Sequence, residues 1–269
     1  LPNVGKSTLF NAITQLSIQA ENYPFCTIDP NIGTVPVPND KLDILGQISN
    51  TQKTIYNTIK FIDIAGLVKG ASQGEGLGNQ FLSNIRETSV IAHVLRCFED
   101  KNVTHVHETV DPIRDLEIIN TELLLADMDS VDKWYNNFSK KAKSNNKEDI
   151  KRKAFLEKIK ASLEQEIPIR KVALTDEETP LLKEFPLLTA KKMVYVANVS
   201  ESDLQTSSPH VQKLTEFLGE NEELVIQLCT KLEAEVADLD EADKKDFLKE
   251  YGLEESGLDQ LTKCGYDLL

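Results

Sequence analysis

Apolar runs at residues 32–37, 58–64 and 90–98 alternate with polar stretches, and each has the length of a buried strand. A helix is expected at 79–87, before the last of them. Such alternation points to a sheet covered by helices. From about Asp111 the period changes: Leu116, Ile119, Leu123 and Ala126 recur at steps of three and four, and Trp134 and Phe138 extend the stripe into one long amphipathic helix. A polar turn at 143–147 separates it from a second stripe of Leu156, Ile159, Leu163 and Ile167, so the two arms are expected to pack as an antiparallel hairpin. Pro168 ends the second arm. Residues 193–197 restore a buried strand, 223–229 read as another, and the remainder is acidic, helical and rich in turns.

The first eight residues, Leu1-Pro2-Asn3-Val4-Gly5-Lys6-Ser7-Thr8, change the picture from scaffold to chemistry. They fit G-x-x-x-x-G-K-[ST] with its leading glycine one position before Leu1, so the chain reads as a fragment that begins inside a phosphate-binding loop. In such a loop successive backbone N–H groups curl around phosphates, Gly5 permits close approach, Lys6 reaches the outer phosphates, and the Ser7 hydroxyl can ligate Mg2+. A helix predicted over 7–16 adds its N-terminal dipole.

Asp63-Ile64-Ala65-Gly66 sits at the end of a predicted strand, where a D-x-x-G element can aim its carboxylate at Mg2+ and its glycine N–H at a terminal phosphate. Gly70, Gly74, Gly76 and Gly78 follow, as in a switch that orders around a triphosphate. Thr27, in the loop before the first strand, offers a second hydroxyl to Mg2+; a threonine there equally serves to hydrogen-bond backbone. Two segments compete to read the base. Asn146-Lys147-Glu148-Asp149 matches the guanine signature N-K-x-D but follows a charged helix tip, so we treat it as a decoy. Asn198-Val199-Ser200-Glu201 directly follows a buried strand but lacks the lysine and replaces Asp by Glu, which weakens the case for GTP. Asn198 can hold the loop while backbone near Val199 pairs with adenine, and Cys229-Thr230-Lys231 would close the pocket. Glu201 is equally readable as a solvated carboxylate at a helix start.

Composition is that of an ordinary globular chain, 28% charged and 40% hydrophobic, without an apolar run of membrane-spanning length. Four scattered cysteines without C-x-x-C spacing argue against a disulfide framework or a zinc site and fit a reducing cytosol. The net charge of −14 excludes a generally basic nucleic-acid surface, yet residues 140–160 hold nine basic and three acidic side chains. That island is either a docking site for an RNA-rich partner or a solvated helix tip. His93, within an apolar strand, and His105 and His107, in a loop, are weak candidates for a catalytic base.

Together these stretches resemble one family, the Obg-like ATPases of the YchF type, and the resemblance runs from the opening loop through Asp63–Ser72, Gly74–Phe81 and Asn198–Glu201 to Asp238-Leu239-Asp240. It implies an α/β P-loop NTPase with an Obg-type, Ras-like G domain: a sheet with helices on both faces and an inserted antiparallel α-helical hairpin. The expected division is a first G-domain part at 1–111, a helical insertion at 112–190, and a second G-domain part at 191–269 leading toward a TGS domain that this chain lacks. The resemblance also implies ATP in preference to GTP, slow Mg2+-dependent hydrolysis, and association with ribosomes in the cytoplasm, away from membranes. Nucleotide contacts would fall to Asn3, Val4, Gly5, Lys6, Ser7, Thr8, Asn198, Val199 and Glu201, and Mg2+ to Ser7, Thr27 and Asp63. Position 67, a water-positioning glutamine in Ras-type enzymes, is Leu67, so transition-state help must come from elsewhere. Lys6, Asn3 and Gly66 are the candidates, with Asn3 holding K+ beside the phosphates as it does in related loops. The competing functions are an Obg-type GTPase and a nucleotide-gated binding module whose hydrolysis is incidental.

Overall fold

The computed structural model describes residues 1–19, 31–64, 77–103, 109–144, 146–206, 208–219 and 224–269. In chain order the elements are α1 (Lys6–Gln19), β1 (Ile32–Pro36), α2 (Asp40–Ile48), β2 (Thr58–Ile62), α3 (Leu77–Glu87), β3 (Val90–Arg96), α4 (Pro112–Lys141), α5 (Lys147–Glu164), α6 (Thr179–Glu184), β4 (Lys192–Asn198), α7 (Pro209–Leu218), β5 (Leu224–Leu228), α8 (Thr230–Ala237), α9 (Glu241–Glu250) and α10 (Gly257–Leu268). The predicted α/β alternation and paired long helices are present. The chain divides into two compact units, residues 1–66, 92–113 and 193–269 in one, and residues 67–91 and 114–192 in the other.

In the first unit β1 and β2 pair antiparallel, with Thr34 opposite Lys60, while β3, β4 and β5 form a second ladder in that order. β4 and β5 run parallel, Val196 opposite Ile226. β4 is buried at every position after Lys192, as expected of a strand covered on both faces. Val4, Leu9, Ile13, Val35, Ile59 and Val196 share one core, into which α1 and α10 also pack. Glu233 lies buried on α8 and accepts hydrogen bonds from Gly257 N and Leu258 N at 2.8 and 3.1 Å, capping α10. Burial raises its pKa above the ordinary carboxyl range, against the pull of those two amides.

The helix α2 had no counterpart in the sequence pattern. Asn39 starts it, accepting from Leu42 N, yet none of its residues is buried and Ile44, Leu45 and Ile48 are exposed. Leu42, Leu45 and Ile48 do recur at steps of three along it, but over only nine residues.

In the second unit α4 and α5 pack around Phe185, whose ring meets Trp134 at 5.2 Å, Phe138 edge-on at 5.8 Å and Phe155 at 6.0 Å. Leu156, Ile159 and Leu163 are buried as their spacing predicted, but Ile167 is not. α5 ends at Glu164, and the left-handed backbone at Glu166 turns the chain away before the stripe reaches Ile167. Asp127 on α4 is fully buried and accepts from Leu188 N, Thr189 N and Thr189 Oγ1 at 2.7–2.8 Å, fixing the segment that leads into β4. Burial raises its carboxyl pKa despite those three donors.

The basic island is partly neutralised. Lys151 pairs with Glu177, Arg152 with Glu184, Lys158 with Glu178 and Lys160 with Asp132, at 2.6–3.5 Å. Among the described residues Lys140, Lys143, Lys147 and Lys153 have no carboxylate partner. Lys153 sits instead over the Tyr135 ring.

Candidate functional site

Residues 1–5 form the turn that launches α1, and two of them hold left-handed backbone: Asn3 at φ 59° and Gly5 at φ 96°. At Gly5 the requirement for glycine is double, because a Cβ there would lie 2.2 Å from Asn198 Nδ2 and 2.9 Å from Thr230 Oγ1. Val4 points inward and is buried. Asn3, Ser7 and Thr8 are exposed at the mouth of the loop, and Lys6 opens α1. Such a turn presents backbone N–H groups and a helix N-terminus to one point, the arrangement that binds phosphate.

Asp63, just past β2, contacts the Lys6 ammonium through its carboxylate. Asp63 N also donates to Asn31 O at 2.9 Å, which fixes the start of the segment. Lys6 and Asp63 therefore meet, although Asp63 is 57 positions along the chain from Lys6. A hydroxyl and one carboxylate at a phosphate site suit Mg2+, which keeps several waters and takes few protein ligands. Among the described residues no group of three or more His, Cys, Asp or Glu is placed to hold a metal ion. Thr27 and Gly66 lie outside the described residues.

The third part of the site is organised by Asn198, 2% exposed at the end of β4. Its Nδ2 donates to Val4 O at 2.9 Å and its Oδ1 accepts from Thr230 N at 3.0 Å. One amide side chain thus ties the phosphate loop to the start of α8. Its own backbone O accepts from Cys97 N at 2.8 Å, and Val199 N donates to Leu228 O at 2.9 Å. These bonds leave Val199 buried, so its side chain packs while the following turn, Glu201–Asp203, faces outward. Glu201 meets Lys231 at the first turn of α8, 2.8 Å apart.

The competing N-K-x-D segment has a different task. Asn146 caps α5 by accepting from Glu148 N at 3.0 Å, and Glu148 and Asp149 occupy the first turn, where carboxylates complement the helix dipole. Asp149 also approaches Arg152 at 3.7 Å. His93 is buried against Tyr195, ring centroids 6.0 Å apart, as a packing residue of β3. His105 and His107 lie outside the described residues.

Pairs that sequence reasoning did not find include Lys6 with Asp63, Asn198 with Val4, and Glu233 with the start of α10. Lys6, Asp63, Asn198 and Val4 carried signals of their own, while Glu233 carried none, and nothing along the chain announced any partner.

Comparison with known proteins follows the same lines. Residues 1–128 match a family described as 50S ribosome-binding GTPase. The chain is 52% identical over 272 residues to the ribosome-binding ATPase YchF of Bacillus subtilis, covering 100% of this chain and 74% of that protein. Against the ribosome-binding ATPase YchF of Escherichia coli O157:H7 it is 47% identical over 269 residues, again with 100% and 74% coverage. A solved structure of the Schizosaccharomyces pombe YchF GTPase superposes with a TM-score of 0.88 at 35% identity, over 100% of this chain and 74% of that one.

Proposed function

The chain belongs to the YchF family of P-loop nucleoside triphosphatases, and from that premise we propose that it is an ATP-binding, slowly ATP-hydrolysing switch that associates with ribosomes in the cytoplasm. Ribosome association is supported by the names of its bacterial relatives. The choice of base has less help from names, since those relatives are described as ATPases and the yeast structure as a GTPase. The observation that carries the choice of ATP is local: Asn198 holds the base loop on the phosphate loop, while the residue where a guanine-reading Asp would stand is Glu201, already engaged by Lys231. A guanine-reading carboxylate must meet two adjacent donors, and the longer Glu in place of Asp shifts it from that geometry.

In this proposal Lys6 and the N–H groups of residues 3–8 bind the phosphates, and Ser7, Asp63 and Thr27 would hold Mg2+, which would supply positive charge to the transferred group. Gly66 N–H senses the terminal phosphate. Asn3, exposed beside the loop, supplies an oxygen to K+. With Leu67 at the glutamine position, no side chain there orients water, and turnover is slow. The same feature favours a second reading, a nucleotide-gated binding module with incidental hydrolysis.

Titration of labelled ATP and GTP separates these bases: ATP is expected to bind about tenfold or more tightly, and tighter GTP binding overturns the proposal. Hydrolysis followed in K+ and in Na+ tests Asn3, and equal rates remove its ion role.

We take the helical insertion as residues 112–190, with its tip as an RNA contact made through Lys140, Lys143, Lys147 and Lys153. Among the described residues these four lysines have no carboxylate partner, a smaller patch than the local charge implied. Charge reversal at Lys140, Lys143 and Lys147 is expected to weaken ribosome binding about tenfold at low salt and to flatten its salt dependence. Unchanged, salt-insensitive binding sinks the tip contact.

A further inference from the structure

The cation of the phosphate loop already has an anion. Lys6 opens α1, and its ammonium meets the carboxylate of Asp63, the residue just past β2. Asp63 is held there by its backbone, whose N–H donates to Asn31 O at 2.9 Å, so the end of the strand delivers the carboxylate. Among the described residues neither side chain forms a second ion pair. The first helical bond of α1 runs from Leu9 N to Gly5 O, so the N–H groups of residues 6–8 have no acceptor within the helix. With side chains 29% and 25% exposed, the pair is open to a ligand from solvent and contributes little to folding.

A phosphate that takes Lys6 must displace Asp63. The outcome then depends on what the phosphate carries. A bare triphosphate gains the ammonium but leaves the carboxylate beside it, one negative group facing another. A triphosphate that carries a divalent cation gives both partners a new counter-charge: the ammonium turns to phosphate, and the carboxylate to a hard ion that prefers such oxygens. The internal pair therefore opposes the bare nucleotide, whereas the metal complex exchanges it for two attractions. Nucleotide and cation are thereby linked, each favouring the other by the same factor.

We propose that Asp63 is a specificity-determining residue of the phosphate site: by holding Lys6, it makes the site disfavour the bare triphosphate and accept its Mg2+ complex. The inference rests on the phosphate loop and the Mg2+ role of Asp63 proposed above, and adds the competition for Lys6. Asp63→Asn and Asp63→Ala both remove the carboxylate, and only the first leaves an amide in its place.

Labelled ATP titrated in EDTA and in Mg2+ against the unmodified chain and both variants tests this. In EDTA both variants are expected to bind ATP about fivefold more tightly than the unmodified chain, the upper range for one partly exposed ion pair, with melting temperatures within about 3 °C of it. Loss of a metal ligand alone cannot tighten binding where no metal is present. In Lys6→Ala, which has no ammonium to hold, adding Asp63→Ala should change ATP binding in EDTA by no more than about twofold. In Mg2+ the advantage of the variants should vanish. Unchanged or weaker binding of both variants in EDTA overturns the competition. So does tightening in Asp63→Asn but not in Asp63→Ala, because the new amide is then responsible. A gain as large in the Lys6→Ala background, or one kept in full in Mg2+, overturns it as well. If Lys6→Ala binds ATP as tightly as the unmodified chain, the phosphate-loop reading itself fails and takes the inference with it.

Discussion

Lys6→Ala is expected to weaken ATP binding about a hundredfold, ~3 kcal/mol, the scale of losing a charged donor from a desolvated phosphate contact. The ammonium is the cation that the loop brings toward the outer phosphates, and backbone N–H groups alone cannot replace its full charge. Hydrolysis should fall further than binding, because charge that develops on the transferred phosphoryl group needs a fixed donor. Stability should change little. Lys6 and Asp63 are both partly exposed, so removing one partner leaves a carboxylate that water can solvate. Labelled-nucleotide titration beside a thermal melt checks both halves. Full ATP affinity in Lys6→Ala means that this loop does not bind phosphate in the way its sequence implies.

Asn198→Ala should do what Lys6→Ala does not, lowering stability and binding together. Its side chain satisfies Val4 O and Thr230 N, both in the buried heart of the site. Removing it strands a donor and an acceptor at about 1–3 kcal/mol each, so a loss of ~3 kcal/mol and a melting temperature roughly 10 °C lower are expected. Binding falls because the phosphate loop and the start of α8 are no longer held in register. Asn198→Asp separates the two bonds: it can still accept from Thr230 N but sets an acceptor against Val4 O. A melt and a titration of both variants provide the measurement. If Asn198→Ala melts with the unmodified protein and binds ATP normally, Asn198 does not organise the site.

Much of the site was legible because its parts are written in consecutive residues. The turn at Gly5 and the carboxylate after β2 were found from spacing and context, and the N-K-x-D at Asn146 was set aside for following a charged helix tip, where the structure shows it capping α5. The basic run was legible as composition only. Its partners Asp132, Glu177, Glu178 and Glu184 come from other segments, so counting charge between 140 and 160 overstated the free cations. Ile167 misled for a related reason, since a period continues on paper past the residue where the backbone leaves the helix.

By itself the sequence determined the five described strands, the long paired helices, the phosphate loop and the family, because each is a period or a motif of neighbouring residues. Tertiary structure alone decided that Asn198 clasps Val4 across 194 positions, that Lys6 meets Asp63, and that Lys231 engages Glu201. Hydrogen bonds and ion pairs act over about 3 Å in space, while the chain that joins their partners can be of any length, so no local pattern encodes the meeting.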